Sequence, residues 1–266
     1  MNRTQAETQC PQVEIKDLSV RFPGALERVF QHISLSVPAR SIYGIFGETG
    51  CGKSTLAQCL VGLVPRSCLE GEIYLDFGPE EKIALHTMEE SSWSKLRGKK
   101  VVYVPQDPYK TLNPFETVGT QLGRICRLYG KMDAMEEILR QVDFSPSLLG
   151  LFPSALSAGQ KQRAIIAQAL ATDAPLIIFD EPTAPVDSKG RESLLRCFKE
   201  IQERGHTLIV ISHEMDAYGA SIEHRFDFSP SRKKYHFLEK MDSSPRPSRL
   251  MEVRGLSKAF DNFSIL

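Results

Sequence analysis

The sequence predicts an α/β fold on a largely parallel sheet, with an antiparallel β segment at its start and a helical insertion in its middle. Three observations carry that prediction. Apolar runs of strand length alternate with stretches of helical spacing, as parallel-sheet units do. A glycine-rich loop separates the first fully apolar strand from the helix after it. Residues 107–153 show amphipathic helical patterns and few strand signals.

In chain order, Val13–Ile15 alternates, Leu18–Phe22 continues extended, and Ile33–Val37 alternates again, which predicts antiparallel strands. Ser41–Phe46 is apolar and β-rich and ends at Gly47. Lys53–Val64 has helical spacing through Leu56, Leu60, Val61 and Leu63. Val101–Val104 is a short buried strand closed by Pro105. Val118–Tyr129 and Asp133–Phe144 are helices of the insertion. Gln160–Leu170 is a helix, Leu176–Phe179 a strand, Arg191–Arg204 a helix and Thr207–Ser212 a strand. Beyond about Ala220 the pattern weakens. Ser229–Lys234 reads as a turn or loop and Ser243–Ser248 as a linker.

With 41% hydrophobic and 25% charged residues over 266 positions, the composition excludes a disordered or fibrous chain and allows one or two domains. The 33 Lys and Arg balance 33 Asp and Glu, which counts against a dedicated nucleic-acid binder. No apolar run approaches the roughly 18–20 residues of a membrane span. The polar start Met1–Gln5 lacks the apolar core of a signal peptide. Cys10, Cys51, Cys59, Cys68, Cys126 and Cys197 are scattered with no CxxC pair, which suits reduced thiols in cytosol. A soluble intracellular protein is the expectation.

Gly47-Glu48-Thr49-Gly50-Cys51-Gly52-Lys53-Ser54-Thr55 fits G-x-x-x-x-G-K-[ST] between a strand and a helix. The glycines let the backbone curl so that N–H groups point at phosphate oxygens, and the helix beginning near Lys53 adds its positive dipole end. Lys53 supplies a charge for the β- and γ-phosphates and Ser54 a hydroxyl for Mg²⁺. Leu176–Phe179 then runs into Asp180 and Glu181. At the C-terminal end of a parallel strand these acids face a ligand crevice. Asp180 suits Mg²⁺ coordination through water, and Glu181 suits a general base for an attacking water.

Between these sites lies Leu156-Ser157-Ala158-Gly159-Gln160-Lys161-Gln162-Arg163, which resembles the LSGGQ signature of ATP-binding cassette (ABC) ATPases. The resemblance covers about Val13 to Ile222 and implies a P-loop NTPase core with an antiparallel β subdomain and a helical subdomain at about 107–160. It implies that Phe22 stacks on adenine, Gln106 contacts Mg²⁺ and water, Asp187 is the D-loop aspartate, and His213 contacts the γ-phosphate. It assigns Ser157, Gly159 and Gln160 to nucleotide bound by the opposite cassette of a homo- or heterodimer. Phe22 as a core aromatic, Gln106 as a surface amide, His213 as a capping histidine and Asp187 as a plain helix cap are the structural alternatives.

Two positions depart from the family pattern. Ala158 stands where the signature has its first glycine and perturbs the loop if that position needs positive φ. Pro185 in Ala184-Pro185-Val186-Asp187 removes an N–H from the D-loop. Gln106-Asp107-Pro108-Tyr109-Lys110-Thr111-Leu112-Asn113-Pro114 resembles a run of the dipeptide, oligopeptide and nickel importer ATPases, as does Phe152-Pro153. Ala155 replaces a glutamate frequent in that subgroup.

The expected function is therefore an ATP-hydrolysing subunit, peripheral on the cytoplasmic face of a membrane. Its partners would be a transmembrane permease docked near Gln106–Pro114 and a second ABC ATPase domain, with no nucleic acid. A soluble ABC ATPase acting on nucleic acid or ribosomes, and a weakly hydrolysing nucleotide-binding regulator, are the competing readings. Finally, Glu252-Val253-Arg254-Gly255-Leu256-Ser257 through Phe260 repeats the pattern of Glu14-Ile15-Lys16-Asp17-Leu18-Ser19 through Phe22. The expected organisation is one ABC ATPase domain over 10–240, a linker at 241–249, and the start of a second, truncated ABC domain at 250–266.

Overall fold

The computed structural model describes residues 10–78, 80–218, 222 and 224–228, with the backbone of 258–260 and 263–265. The chain divides into two units, Met1–Pro230 and Ser231–Leu266.

In the first unit, β1 (Gln12–Val20) pairs antiparallel with both β2 (Phe30–Val37) and β4 (Leu69–Asp76), and β5 (Lys82–Ala84) extends the sheet beyond β4. The extended chain expected over Val13–Ile15 and Leu18–Phe22 is one strand that ends at Val20. Val13, Ile15, Leu18 and Val20 are all buried, and the shift in spacing after Ile15 is a bulge where Asp17 takes φ +51. A bulge adds a residue and resets which face each side chain meets. No pattern in the sequence predicts β4 or β5. Only the second half of β4 alternates, burying Ile73 and Leu75 behind the polar Glu70, Gly71 and Glu72.

The second sheet is parallel, ordered β6-β7-β8-β3-β9, from Val101–Val104, Leu176–Asp180, Thr207–Ser212, Ile42–Phe46 and His224–Asp227. β9 pairs with β3 in a region where the pattern had predicted no strand. Only Phe226 of its four residues is even half-buried, so the sequence carries no alternation there. The strands of the sheet centre are buried on both faces. Leu176, Ile178, Ile209 and Ile211 join the core shared with the antiparallel sheet and α1 (Lys53–Leu60), while Ile177, Phe179, Leu208 and Val210 join the helical side.

The helix α1 stops at Leu60, short of the expected Val64. Gly62, at φ +66, lets the chain leave the helix while Leu63 N–H reaches Gln58 O and Gly62 N–H reaches Cys59 O, a Schellman stop. Beyond the short α2 (Glu90–Trp93), the insertion holds α3 (Pro108–Thr111), α4 (Val118–Leu128) and α5 (Met135–Gln141), close to expectation. α6 (Ala158–Ala171) and α7 (Ser188–Glu203) start two or three residues before the first periodic residue, because Ser157 and Asp187 cap them.

In the second unit, β10 (Lys258–Phe260) pairs antiparallel with β11 (Phe263–Ile265). The loop expected at 229–234, the linker at 241–249, the boundary near 240 and residues 250–257 lie outside the described residues.

Candidate functional site

The order β7-β8-β3 brings three chain segments to one end of the parallel sheet: the loop after β3, the acids closing β7, and His213 after β8. Gln106 follows β6, the next strand, and is exposed.

The loop from Gly47 to Gly52 turns through φ +82 at Gly50 and +112 at Gly52, the residue that precedes α1. Gly47 packs so closely that a Cβ there would lie 2.5 Å from the carbonyl oxygen of Phe228. Glu48 and Thr49 are exposed at the crest, Cys51 is buried, and Ser54 and Thr55 are half-buried in the first turn of α1. Lys53 is only 6% exposed, and its Nζ donates to the carbonyls of Gly47 (2.7 Å) and Glu48 (2.8 Å). A buried ammonium ringed by backbone at a helix N-terminus is a local positive site that suits phosphate.

Asp180, 1% exposed, accepts a hydrogen bond from the Tyr103 hydroxyl at 2.8 Å, and the Ser54 hydroxyl lies beside it. Its other oxygen, Oδ1, has no partner among the described residues. Burial holds the carboxyl above its usual range. The Ser54 and Tyr103 hydroxyls oppose that shift, Glu181 adds to it, and Lys53 opposes it. A buried orphan carboxylate oxygen beside a serine hydroxyl is a hard-oxygen donor set that fits Mg²⁺. No group of three or more His, Cys, Asp or Glu could hold a metal among the described residues, so such an ion would need further oxygen ligands from phosphate or water.

Glu181 turns the chain at φ +49, a conformation uncommon for a residue with a side chain. Its N–H donates to Ile211 O at 2.8 Å, tying the turn to β8. Ser212 Oγ donates to Glu181 Oε2 at 3.1 Å, and His213 Nδ1 lies 2.9 Å from Oε1. His213 Nε2 lies 3.7 Å from Glu214 Oε1, and Arg191 of α7 pairs with Glu214 at 3.0 Å. Both oxygens of a buried carboxylate are thus fixed by named groups, one of them on a half-exposed ring.

The remaining candidates lie apart from this cluster. Phe22 sits 39% exposed in the turn after β1. Ser157 and Gln160 form a reciprocal capping box, Gln160 N–H to Ser157 Oγ at 3.2 Å and Ser157 N–H to Gln160 Oε1 at 2.9 Å. Gly159 packs against Val186 and Pro185 of the D-loop in its own chain. Asp187 caps α7 through Gly190 N–H at 2.7 Å, as its structural alternative requires. Ala158 is the first residue of α6 and does not take positive φ, so its methyl causes no backbone strain.

Sequence reasoning did not single out Tyr103, Ser212, Tyr218 or Arg191, which touch the acids or their neighbours only through the fold. Within the signature helix it also passed over Gln162, fully buried with neither amide atom hydrogen-bonded among the described residues.

Comparison with known proteins matches these features. A probable peptide ABC transporter ATP-binding protein of Sinorhizobium fredii is 30% identical over 217 residues, 76% of this chain and 63% of the relative. The oligopeptide transport ATP-binding protein OppD of Haemophilus influenzae is 30% identical over 217 residues, 77% of this chain and 66% of that protein. This chain thus spans slightly under two thirds of the length of these relatives. The solved structure of MJ0796, a bacterial ABC transporter cassette in dimeric form, superposes with TM-score 0.71 at 24% identity, covering 81% of this chain and 93% of the other. A post-hydrolysis state of the same cassette, bound to ADP and Pi, gives TM-score 0.70 at 25% identity, with the same coverage. The family model described as ABC transporter matches residues 30–184, more than half the sequence, and the chain belongs to the ABC transporter family.

Proposed function

We propose that this chain is the ATP-binding and ATP-hydrolysing subunit of a peptide-type ABC importer, working as one of two paired cassettes. The observation that carries the reading is the buried Glu181 carboxylate, clamped by Ser212 and His213 at the sheet end that also carries Lys53. The names of the peptide-transport relatives and the ADP-and-Pi-bound cassette support it.

The loop N–H groups and Lys53 bind the β- and γ-phosphates. Phe22 offers a stacking face to adenine. Ser54 and Asp180, with Gln106 close to the same sheet end, would hold Mg²⁺, which would supply charge neutralisation at the phosphates. Glu181 accepts a proton from a water as its oxygen attacks the γ-phosphorus and the bond to the leaving ADP oxygen breaks. His213 steadies that carboxylate. Ser157, Gly159 and Gln160 serve the nucleotide of the partner cassette, and Asp187 shapes the D-loop between them. Closure and reopening of the pair around ATP drives a transmembrane partner.

The partner surface is proposed beside Gln106–Pro114. That run is built as a capped turn: Asp107 caps α3, Asn113 Oδ1 accepts from Phe115 N–H, and Lys161 lies 3.9 Å over the Tyr109 ring. Tyr109 and Phe115 are exposed there. Backbone bonds from Val118 to Leu151 and from Gly119 to Leu149 bring the exposed Phe152 segment alongside. No helix among the described residues is long and apolar enough to cross a membrane, so peripheral attachment to the inner face through a permease is the proposed location. The β10–β11 hairpin pairs antiparallel as β1 and β2 do, which supports reading 250–266 as the start of another antiparallel layer.

The test is phosphate release by the purified chain and by Glu181→Gln. The reading expects turnover to fall about 10²–10⁴-fold while nucleotide still binds. Undiminished release by the variant removes Glu181 as base. Co-purification with RNA or DNA in place of a polytopic membrane protein would favour the nucleic-acid alternative.

A further inference from the structure

The two oxygens of the buried Asp180 carboxylate have different surroundings. Oδ2 accepts the Tyr103 hydroxyl at 2.8 Å, while Oδ1 has no partner among the described residues. The asymmetry follows from the sheet. In the parallel ladder Tyr103 of β6 stands opposite Ile178 of β7. Side chains two apart on a strand share a face, so Ile178 and Asp180 lie on the face that Tyr103 also takes. Ile178 belongs to the core shared with α1, and the half-buried Tyr103 ring packs against that core. A tyrosine side chain reaches past its own pairing partner, and the hydroxyl meets the carboxylate where β7 ends.

The bond constrains how the carboxylate presents itself. An aspartate turns about a broad, roughly two-fold torsion, so an unheld carboxylate exchanges its oxygens or offers both together. With Oδ2 taken by a hydroxyl on a packed ring, Oδ1 alone remains to meet a cation or its water. That limit bears on the choice of cation. Mg²⁺ demands near-octahedral geometry and keeps several waters, so a single carboxylate oxygen suits it. Ca²⁺ takes more ligands in a looser shell and accepts bidentate carboxylates.

We propose that Tyr103 is a positioning residue that sets cation preference: by holding Asp180 Oδ2 it limits the carboxylate to one oxygen, which favours Mg²⁺ over Ca²⁺. The inference rests on the reading of Asp180 as the carboxylate that meets the cation. Tyr103 also stands three residues before Gln106. One strand, β6, therefore brings two groups to this sheet end: the exposed glutamine after it and the phenol within it.

The experiment uses the full chain and four variants: Tyr103→Phe, Tyr103→Met, Asp180→Asn, and Tyr103→Phe combined with Asp180→Asn. Tyr103→Phe keeps the ring in its packing and removes only the hydroxyl. Tyr103→Met also lacks the hydroxyl and serves if the phenylalanine variant does not fold. Equilibrium binding of a non-hydrolysable ATP analogue is measured in saturating Mg²⁺, in saturating Ca²⁺ and in EDTA, and calorimetry gives Tm. Loss of one hydrogen bond to the carboxylate predicts affinity in Mg²⁺ about three- to tenfold lower for both hydroxyl-free variants. Affinity in Ca²⁺ and in EDTA should stay within about twofold of wild type, so the ratio of Mg²⁺ to Ca²⁺ affinity falls. In the Asp180→Asn background the loss of the hydroxyl should change neither value further, because it acts through Asp180.

An unchanged ratio of Mg²⁺ to Ca²⁺ affinity in a folded hydroxyl-free variant overturns the proposal. Equal losses in Mg²⁺, Ca²⁺ and EDTA together with a lower Tm overturn it in a particular way, by making the hydroxyl structural. A further loss in the Asp180→Asn background overturns it too, since Tyr103 would then act on another part of the site. If Asp180→Asn itself binds the analogue in Mg²⁺ as wild type does, the reading of Asp180 fails, and the role of Tyr103 falls with it.

Discussion

His213 Nδ1 lies 2.9 Å from Glu181 Oε1, joining the end of β8 to the end of the adjacent strand β7. An ionised carboxylate only accepts, so the contact puts a ring proton on Nδ1. Glu214, 3.7 Å from Nε2, and Arg191 behind it set the other side of the ring. The residue after β8 and the residue after β7 therefore act as one unit, and a change in either reaches the other.

Replacing His213 by alanine should separate turnover from binding. The lost bond is to a charged group, worth about 1.5–3 kcal/mol, so kcat should fall about 10–100-fold. Nucleotide affinity, set by the loop, Lys53 and Ser54, should change by no more than a few-fold. Parallel measurement of phosphate release and equilibrium nucleotide binding checks both. Equal losses in binding and turnover would mean that the ring holds nucleotide more than it steadies Glu181.

Asp180 should show a cost of function in the chain without nucleotide. Its carboxyl is raised by burial, so the folded state holds its proton to higher pH than the unfolded state does. Where the folded state binds more protons, stability falls as pH rises. The loss sets in as pH climbs through the ordinary carboxylate range and is complete above the raised folded value. At neutral pH the buried, half-satisfied Asp180 therefore destabilises the chain. Asp180→Asn keeps an acceptor for Tyr103 and removes the charge. It should raise Tm at pH 7, lose that advantage on acidification, and abolish Mg²⁺-dependent phosphate release. Calorimetry from pH 4 to 8 gives the first result. A lower Tm for the variant at pH 7 would show that the ionised carboxylate is a net support.

How far this was legible in the sequence follows from how each signal is encoded. The phosphate loop, the acids at 180 and 181, and the strands at 101–104, 176–180 and 207–212 are local patterns: a glycine spacing and unbroken apolar runs. Those survive reading one residue at a time. β4 and β9 did not, because their burial comes from neighbours that pair across the sheet, with β4 half polar and β9 mostly exposed. The pattern of β1 loses its alternation between Ile15 and Leu18 because a bulge at Asp17 shifts it by one residue. Ser212, Tyr218 and Tyr103 were invisible for the same reason. A serine at a strand end means nothing until the next strand brings a carboxylate to 3.1 Å.

The loop glycines should respond differently to the same methyl group. At Gly50 an added Cβ meets no atom within 4 Å, so Gly50→Ala carries only the cost of φ +82, about 1–2 kcal/mol. At Gly47 the Cβ would lie 2.5 Å from Phe228 O and 3.1 Å from Cys51 Sγ, and a backbone carbonyl cannot swing away as a side chain can. Moving it disturbs the hydrogen bond from Phe228 N–H to Phe46 O as well. Gly47→Ala should lose about 1–3 kcal/mol by overpacking and also lose nucleotide binding. Denaturant titration of both variants orders them. Gly47→Ala as stable as wild type would mean that the strand end at Phe228 gives way freely.

Ala158 decides whether the signature needs glycine there. In the structure Ser157 caps α6 at φ −66 and ψ 162, Ala158 begins the helix without positive φ, and the capping box with Gln160 is complete. Nothing in this arrangement requires a residue without a side chain. Glycine in a helix is destabilising by roughly 0.5–1 kcal/mol relative to alanine, since it gives up more backbone freedom on folding. Ala158→Gly should therefore lower Tm by about 1–4 °C. It should leave phosphate release within about twofold, because the hydroxyl of Ser157 and the backbone of Gly159 are unchanged. A manyfold rise in turnover on restoring glycine would show that position 158 adopts another backbone conformation when two cassettes close. The methyl would then be a brake built into this chain's signature, and the helical start seen here would be its open form.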